Sequence, residues 1–378
     1  MPTLYNLHVA FGLHWYQPYT QKREILKDIA ENSYASILNS IEKNCIGTVN
    51  CDIAASLIFQ LADTAPEVLE KIVRLKNRGK ISLVNTAAHH PILPLVPPEY
   101  AKRQLEQNKK AYLEHGLISA KEKLSGVFPP EMAYGDILTT TLAKMRYSWT
   151  VTDDMPFCKS RNGTPAPATY LVSAGGVACL MRSRKWCKEM SFDKPNGGEF
   201  AEKLCREFPK QFKDNVYQAY IVLWTDAETF GHHDKVSVDN FLNPFFTAVR
   251  KLPMSLESCD FLLRHYPLKK MFVPAGSWSA DESDFLSAPY NRWKHPKNEW
   301  TLLWWKLADI ILKIDHEHPE ARALTEKVLY SCQTWWWTDS KSKDLFLWNV
   351  PELKKALQFG TAKERKTGDD LISRLSDY

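Results

Sequence analysis

The chain predicts an α/β fold built on a parallel sheet, followed by a helical C-terminal part, and three observations predict it. Short apolar runs alternate with amphipathic stretches of helical period through most of the chain, the pattern of strands joined by helical crossovers. The run Tyr217–Trp224 (YQAYIVLW) is largely apolar, as a strand covered on both faces must be. Beyond about Trp278 the strand-like runs give way to helical periodicity. Right-handed crossovers would close such a sheet into a barrel or wind it in both directions.

Each element follows from local signals. Leu7–Trp15 reads as the first strand. Pro66–Arg78 has helical spacing, with Thr64 as a candidate cap, Pro66 in the first turn and Gly79 just past the end. Ile81–Asn85 is a short strand, and Pro98–His115 a helix that stops at Gly116. Leu124–Phe128 and Ser148–Thr152 are strands on either side of a helix at Ile137–Met145. Pro156–Gly176, which contains RNGTPAPAT, reads as a loop excursion. Glu299–Asp315, Pro319–Ser331 and Val350–Phe359 read as helices, and the charged tail from Thr361 as a final exposed one. The expected organisation is a catalytic unit over residues 1–277 and a helical unit over residues 278–378.

Composition narrows the function classes. With 44% hydrophobic and 25% charged residues among 378, the chain is globular. The net charge of +5 is small and its basic residues are dispersed, so no nucleic-acid or anionic-membrane footprint is expected. Eight cysteines without a CxxC pair read as reduced core thiols of a cytoplasmic protein. The N-terminal residues read as strand rather than signal peptide, and no apolar run approaches the ~18 residues of a membrane helix. Oligomeric state is not legible. The 13 tryptophans, bunched at Trp300/Trp304/Trp305 and Trp335/Trp336/Trp337, suit sugar faces and ordinary cores alike.

Position, more than composition, points to a site. His14, His89/His90, Glu131 and Asp226 each fall at or just past the end of an expected strand, where parallel α/β folds bind ligands. Leu223–Lys235 (LWTDAETFGHHDK) places Asp226, Glu228, His232 and His233 after a buried strand, which is costly unless they are paired or used. Gly126–Asp136 (GVFPPEMAYGD) brings Glu131 out through two prolines that stiffen its approach. Gly12–Tyr19 (GLHWYQPY) groups a His, an amide and three aromatics, and Asn85–Leu95 (NTAAHHPILPL) sets two His before a Pro-closed loop. Taken singly, each also fits a solvated loop, a helix start, a core His or a turn.

Taken together, the segments resemble glycoside hydrolase family 57. The His block ending in Gln-Pro is His14-Trp15-Tyr16-Gln17-Pro18, and the second block is His90-Pro91-Ile92-Leu93-Pro94. The nucleophile block falls on Glu131, and the acid block on Asp226-Ala227-Glu228-Thr229-Phe230-Gly231-His232. A fifth runs from Ser277-Trp278-Ser279 to Asn298-Glu299. The chain carries Tyr16 where the family often has a second His, and His90 where many members carry Glu. The resemblance implies a distorted seven-stranded (β/α) barrel of TIM-like type with a C-terminal helical region that closes over the site. It implies retaining chemistry on α-linked glycans, most simply α-glucan, by hydrolysis or transglycosylation. Glu131 would be the nucleophile and Asp226 the general acid/base, with His14, Trp15, Gln17, His90, Glu228, His232 and Trp278 binding substrate. Neither a metal nor another cofactor is expected. Two alternatives stay open: a metal-dependent carbohydrate hydrolase or deacetylase using His14, Asp226, His232 and His89/His90, and a non-catalytic glycan-binding relative.

Overall fold

The structure is a computed structural model that describes residues 4–378. Among the described residues, ten strands run in chain order: β1 (Leu4–Trp15), β2 (Val49–Ile53), β3 (Ile81–Val84), β4 (Gly126–Val127), β5 (Trp149–Asp153), β6 (Leu171–Ala174), β7 (Val177–Arg182), β8 (Val216–Asp226), β9 (Met254–Leu256) and β10 (Leu268–Lys270). Parallel pairing runs β7–β8–β1–β2–β3 and β4–β5–β7. Asn85, just past β3, bridges Val127 of β4 in parallel, so the circuit closes on seven parallel strands. It is thin at β7–β8, where Arg182 pairs with Val222 alone. β6 lies antiparallel on β7, β10 extends β6, and β9 fills the gap beside the first half of β1.

Side-chain alternation then sorts every strand into two faces. In β1, Leu7, Val9, Phe11, Leu13 and Trp15 enter the large core beneath the helices, while Ala10 packs inside the barrel with Val84, Phe128, Val151, Leu180, Val222 and Trp224. Trp224 lies flat across β1 because position 12 is glycine. A Cβ there would stand 2.0 Å from the indole ring. Truncating a buried ring of this size costs about 3–5 kcal/mol.

The same alternation carried to the strand ends turns His14, Asp52, Asp153, Arg182 and Asp226 inward as one layer. His14 is in register with Asp52 of β2 and Asp226 of β8, and Asp153 of β5 with Arg182 of β7.

The C-terminal part folds into helices Glu299–Glu317, Arg322–Val328, Cys332–Ser340, Asp344–Leu357 and Ala362–Asp377. It docks on helix Pro98–Glu114, where Arg103 pairs with Asp315 and Glu326 and Gln104 Nε2 donates to the Glu326 carbonyl at 2.9 Å. None of the helices among the described residues is long and apolar enough to cross a membrane.

Three expectations need correction. Pro156–Gly176 is not an unstructured excursion: helix Asp154–Lys159 occupies its start and β6 its end, because Leu171 and Val172 bury against β7. The helix expected at Val350–Phe359 begins earlier, at Asp344, and tolerates Pro351 in its interior. The terminal helix is capped by a Thr361/Glu364 capping box and buries Leu371, Ile372 and Leu375, so it is packed rather than free.

Candidate active site

Glu131 is presented by its backbone. Pro129 and Pro130 lead into a single helical turn in which Glu131 has φ +60° and Met132 φ +49°. The left-handed region costs a non-glycine residue about 1–3 kcal/mol and persists only where the surroundings over-determine it. Here they do. Trp278 Nε1 donates to Glu131 Oε2 at 2.8 Å, Ser331 Oγ donates to Oε1 at 2.7 Å, and the Trp278 backbone N–H donates to the Glu131 carbonyl at 3.2 Å. Burial pushes the Glu131 carboxyl up to about 7, helped by the charge of Asp226 and opposed by Ser331, His14 and Trp278.

A string of side chains runs from the barrel layer to this glutamate. His14 Nδ1 is 2.5 Å from Asp52 Oδ2, and His14 Nε2 is 2.8 Å from His90 Nε2. His90 Nδ1 is 2.8 Å from Ser331 Oγ. Burial works against charge on His14, but Asp52, Asp226 and Glu228 prevail and hold the imidazole protonated up to about 9. Burial raises Asp52 to about 6 while His14 and Trp224 Nε1 oppose it, so the pair is ionised at neutral pH. Burial and the charge on His14 drive His90 well below the usual imidazole range, leaving it neutral. Tyr16 stacks on His90 with centroids 3.8 Å apart, and Phe128 stacks on His14 at 4.7 Å.

Across the rim, Asp226 ends β8 partly exposed, and no described side chain donates to its carboxylate. Glu228, one turn on, is buried: Gln17 Nε2 donates to its Oε1 at 3.0 Å, and so does the Tyr34 hydroxyl. Burial and then Asp226 push Glu228 up to about 7. Asp226 is in register with His14, and its charge bears on Glu131, His14 and Glu228.

The structure brings together His14, Gln17, His90, Glu131, Asp226, Glu228 and Trp278, and leaves two expected residues outside. Trp15 alternates away from His14 into the core, with no exposure and its ring 4.6 Å from Tyr34. His232 faces Asp28 at 3.7 Å, and it is His233 that feels Asp226. Five residues escaped sequence reasoning: Asp52, Ser331, Tyr34, Asp153 and Arg182. Asp153 binds Arg182 at 2.9 Å and Arg184 at 2.6 Å, and Arg184 in turn grips the carbonyls of Ser277 and Ala280 that flank Trp278. A strand-end position could have flagged Asp52, Asp153 and Arg182. Nothing local marks Ser331 or Tyr34.

No group of three or more His, Cys, Asp or Glu side chains among the described residues is arranged to hold a metal ion. A separate cavity of about 690 Å³, lined by Asp284, Asn291, Arg292, His295, Trp300 and Trp337 among others, contains none of the rim residues.

The family model described as "Glycosyl hydrolase family 57" matches residues 4–273. An α-amylase from Pyrococcus horikoshii is 24% identical over 285 residues, covering 72% of this chain and 43% of that protein. The chain spans less than half the length of the curated relatives it matches. Among solved structures, a branching enzyme of this family from Thermococcus kodakaraensis superposes with a TM-score of 0.74 at 15% identity, covering 98% of this chain and 94% of that one. A 4-α-glucanotransferase from Thermococcus litoralis gives 0.73 at 18% identity, covering 96% and 60%. At these identities the structures establish the shared barrel-and-helix fold.

Proposed function

The chain belongs to glycoside hydrolase family 57, and on that premise we propose that it cleaves or transfers α-glucan chains by a retaining, two-step mechanism. Residues 1–277 form the catalytic unit in this reading, and residues 278–378 close over it. The substrate class is drawn from the printed activities of the relatives, which are amylases, a glucanotransferase and a branching enzyme.

One observation carries the reading. Glu131 is held from both carboxylate oxygens, beside the partly exposed Asp226, at the rim of a parallel barrel. A retaining enzyme needs one fixed nucleophile and one group that exchanges protons with leaving group and solvent. In the first step Glu131 attacks the anomeric carbon while Asp226 gives its proton to the departing glycosidic oxygen. In the second, Asp226 takes a proton from water or a sugar hydroxyl, which attacks from the face the leaving group vacated, opposite Glu131, and displaces it with net retention. Trp278 and Ser331 position the nucleophile, Glu228 presents a carboxylate for sugar hydroxyls, and His14 and His90, whose ring nitrogens bind Asp52, Ser331 and each other, stiffen the wall behind it. Gln17 acts on Glu228 rather than on substrate, since its other end accepts from Gln21 Nε2 at 2.7 Å.

The experiment is product analysis after incubation with maltooligosaccharides, glycogen and aryl α-glycosides, with the first-formed anomer read by NMR. The reading expects α-configured products, and longer chains beside shorter ones where a sugar is the acceptor. A β-configured first product would sink the retaining mechanism. Turnover abolished by a chelator and restored by Zn²⁺ would replace it with metal chemistry.

A further inference from the structure

Ser331 belongs to none of the motifs that point to the site. It sits on the turn between helices Arg322–Val328 and Cys332–Ser340, yet only 2% of its surface is exposed. It is bound to His90 twice: its backbone N–H donates to the His90 carbonyl at 3.0 Å, and its hydroxyl meets His90 Nδ1 at 2.8 Å. His90 itself stands at φ +60°.

Proton counting gives this contact a direction. Ionised Asp52 accepts from His14 Nδ1–H, and a protonated His14 also carries a proton on Nε2, which it donates to His90 Nε2. A neutral His90 that accepts on Nε2 must keep its one proton on Nδ1, and so donates to Ser331 Oγ. The hydroxyl has a single proton, and of its remaining neighbours, Glu131 Oε1 and the Cys332 thiol, the carboxylate is the stronger acceptor and takes it at 2.7 Å. From His14 Nε2–H onward, each donor in the chain therefore points toward the nucleophile.

We infer that Ser331 is a positioning residue for Glu131, the last link of a one-way hydrogen-bond chain that starts at His14, which Asp52 anchors from behind, and runs through His90, coupling the C-terminal helices to the catalytic carboxylate. The inference rests on the reading of Glu131 as nucleophile. The other groups facing Glu131 are Trp278 on Oε2, the neutral His90 at 3.8 Å, protonated His14, Asp226, Tyr16 and Cys332. Asp226 opposes the ionised form, whereas Ser331, Trp278 and His14 favour it, so losing Ser331 removes one of three supports.

The test titrates Glu131 directly. Infrared difference spectra across pH, with the acid carbonyl band absent from Glu131→Gln serving as assignment, give the Glu131 midpoint without reference to turnover. Ser331→Ala should raise the midpoint by about one pH unit, the effect of one hydrogen bond to a charged group. Ser331→Thr, which keeps the hydroxyl, should stay near the parent value. In parallel, the acid limb of kcat/KM should move with the midpoint while the plateau above it changes less. A merely structural serine would lower the plateau and leave the limb in place. An unchanged midpoint in Ser331→Ala, or an equal shift in Ser331→Thr, overturns the inference. If Ser331→Ala does not fold, Ser331→Cys takes its place: its weak S–H donor should give a smaller upward shift, and no shift is disproof. Turnover surviving in Glu131→Gln would remove the nucleophile reading, leaving the titration to judge the hydrogen-bond chain by itself.

Discussion

Glu131 stands on a left-handed turn behind two prolines, fully enclosed, with a donor on each carboxylate oxygen. Asp226 ends a straight strand, partly open to solvent, with no described side chain donating to its carboxylate. The difference matches what the two proposed roles, nucleophile for Glu131 and acid/base for Asp226, demand. A nucleophile is useful only when held near its line of attack, so backbone strain and fixed dipoles are spent on it. An acid/base group must meet a leaving oxygen in one step and an incoming hydroxyl in the next, which a double clamp would hinder.

The largest effect expected is on Glu131→Gln, which should lower turnover by about 10⁴-fold or more on every substrate, because the covalent intermediate cannot form. Steady-state rates on maltooligosaccharides and on an activated aryl glycoside check it, and near-normal rates would break the contrast outright. Asp226→Asn should lose about 10²–10³-fold on poor leaving groups yet spare the first step for an activated aryl glycoside. The glycosyl-enzyme should then accumulate in intact-protein mass spectra, and azide should rescue turnover as a glycosyl azide of retained configuration. An inverted azide product, or rescue confined to the Glu131 variant, would exchange the two roles.

The pH dependence sharpens the picture. Since Glu131 must ionise and burial has pushed it up to about 7, kcat/KM should fall below that pH. Stability has its own profile. His14 is raised from 6.5 to about 9, so its contribution is fully present below 6.5 and lost as pH rises through 9. That loss should be about 3 kcal/mol. Denaturant unfolding at the two ends of that window measures it, and His14→Gln should flatten the decline. The smallest effect belongs to His232→Ala. The ring faces Asp28 rather than the rim, so kcat/KM should change by less than about twofold. A tenfold loss would return His232 to the site.

Much of this was legible in the sequence, for identifiable reasons. β8 and helix Pro66–Asn77 appear where a continuous apolar run and a Pro-to-Gly frame place them, because burial on both faces and end signals are local properties. The strand-end placement of His14, Glu131 and Asp226 was readable for the same reason. Trp15 was misjudged because adjacency along a strand puts neighbours on opposite faces, and a residue next to His14 cannot share its direction. β6 was lost because an antiparallel strand of four residues takes its stability from β7, not from its own sequence. Ser331 was unreadable for a deeper reason: its role exists only through contacts with residues far upstream in the chain.

That sequence separation has a consequence for synthesis. Glu131 and Ser331 are 200 residues apart. At a translation rate of about 5–20 residues per second, the nascent chain carries Glu131 for about 10–40 s before its serine partner is made. The later barrel strands, the last of which ends at Lys270, emerge in that interval with the carboxylate short of both its donors, since Trp278 also follows them. Competence is thus set by the calendar of the ribosome, and a truncated product that stops before Ser331 is born without its finishing clasp.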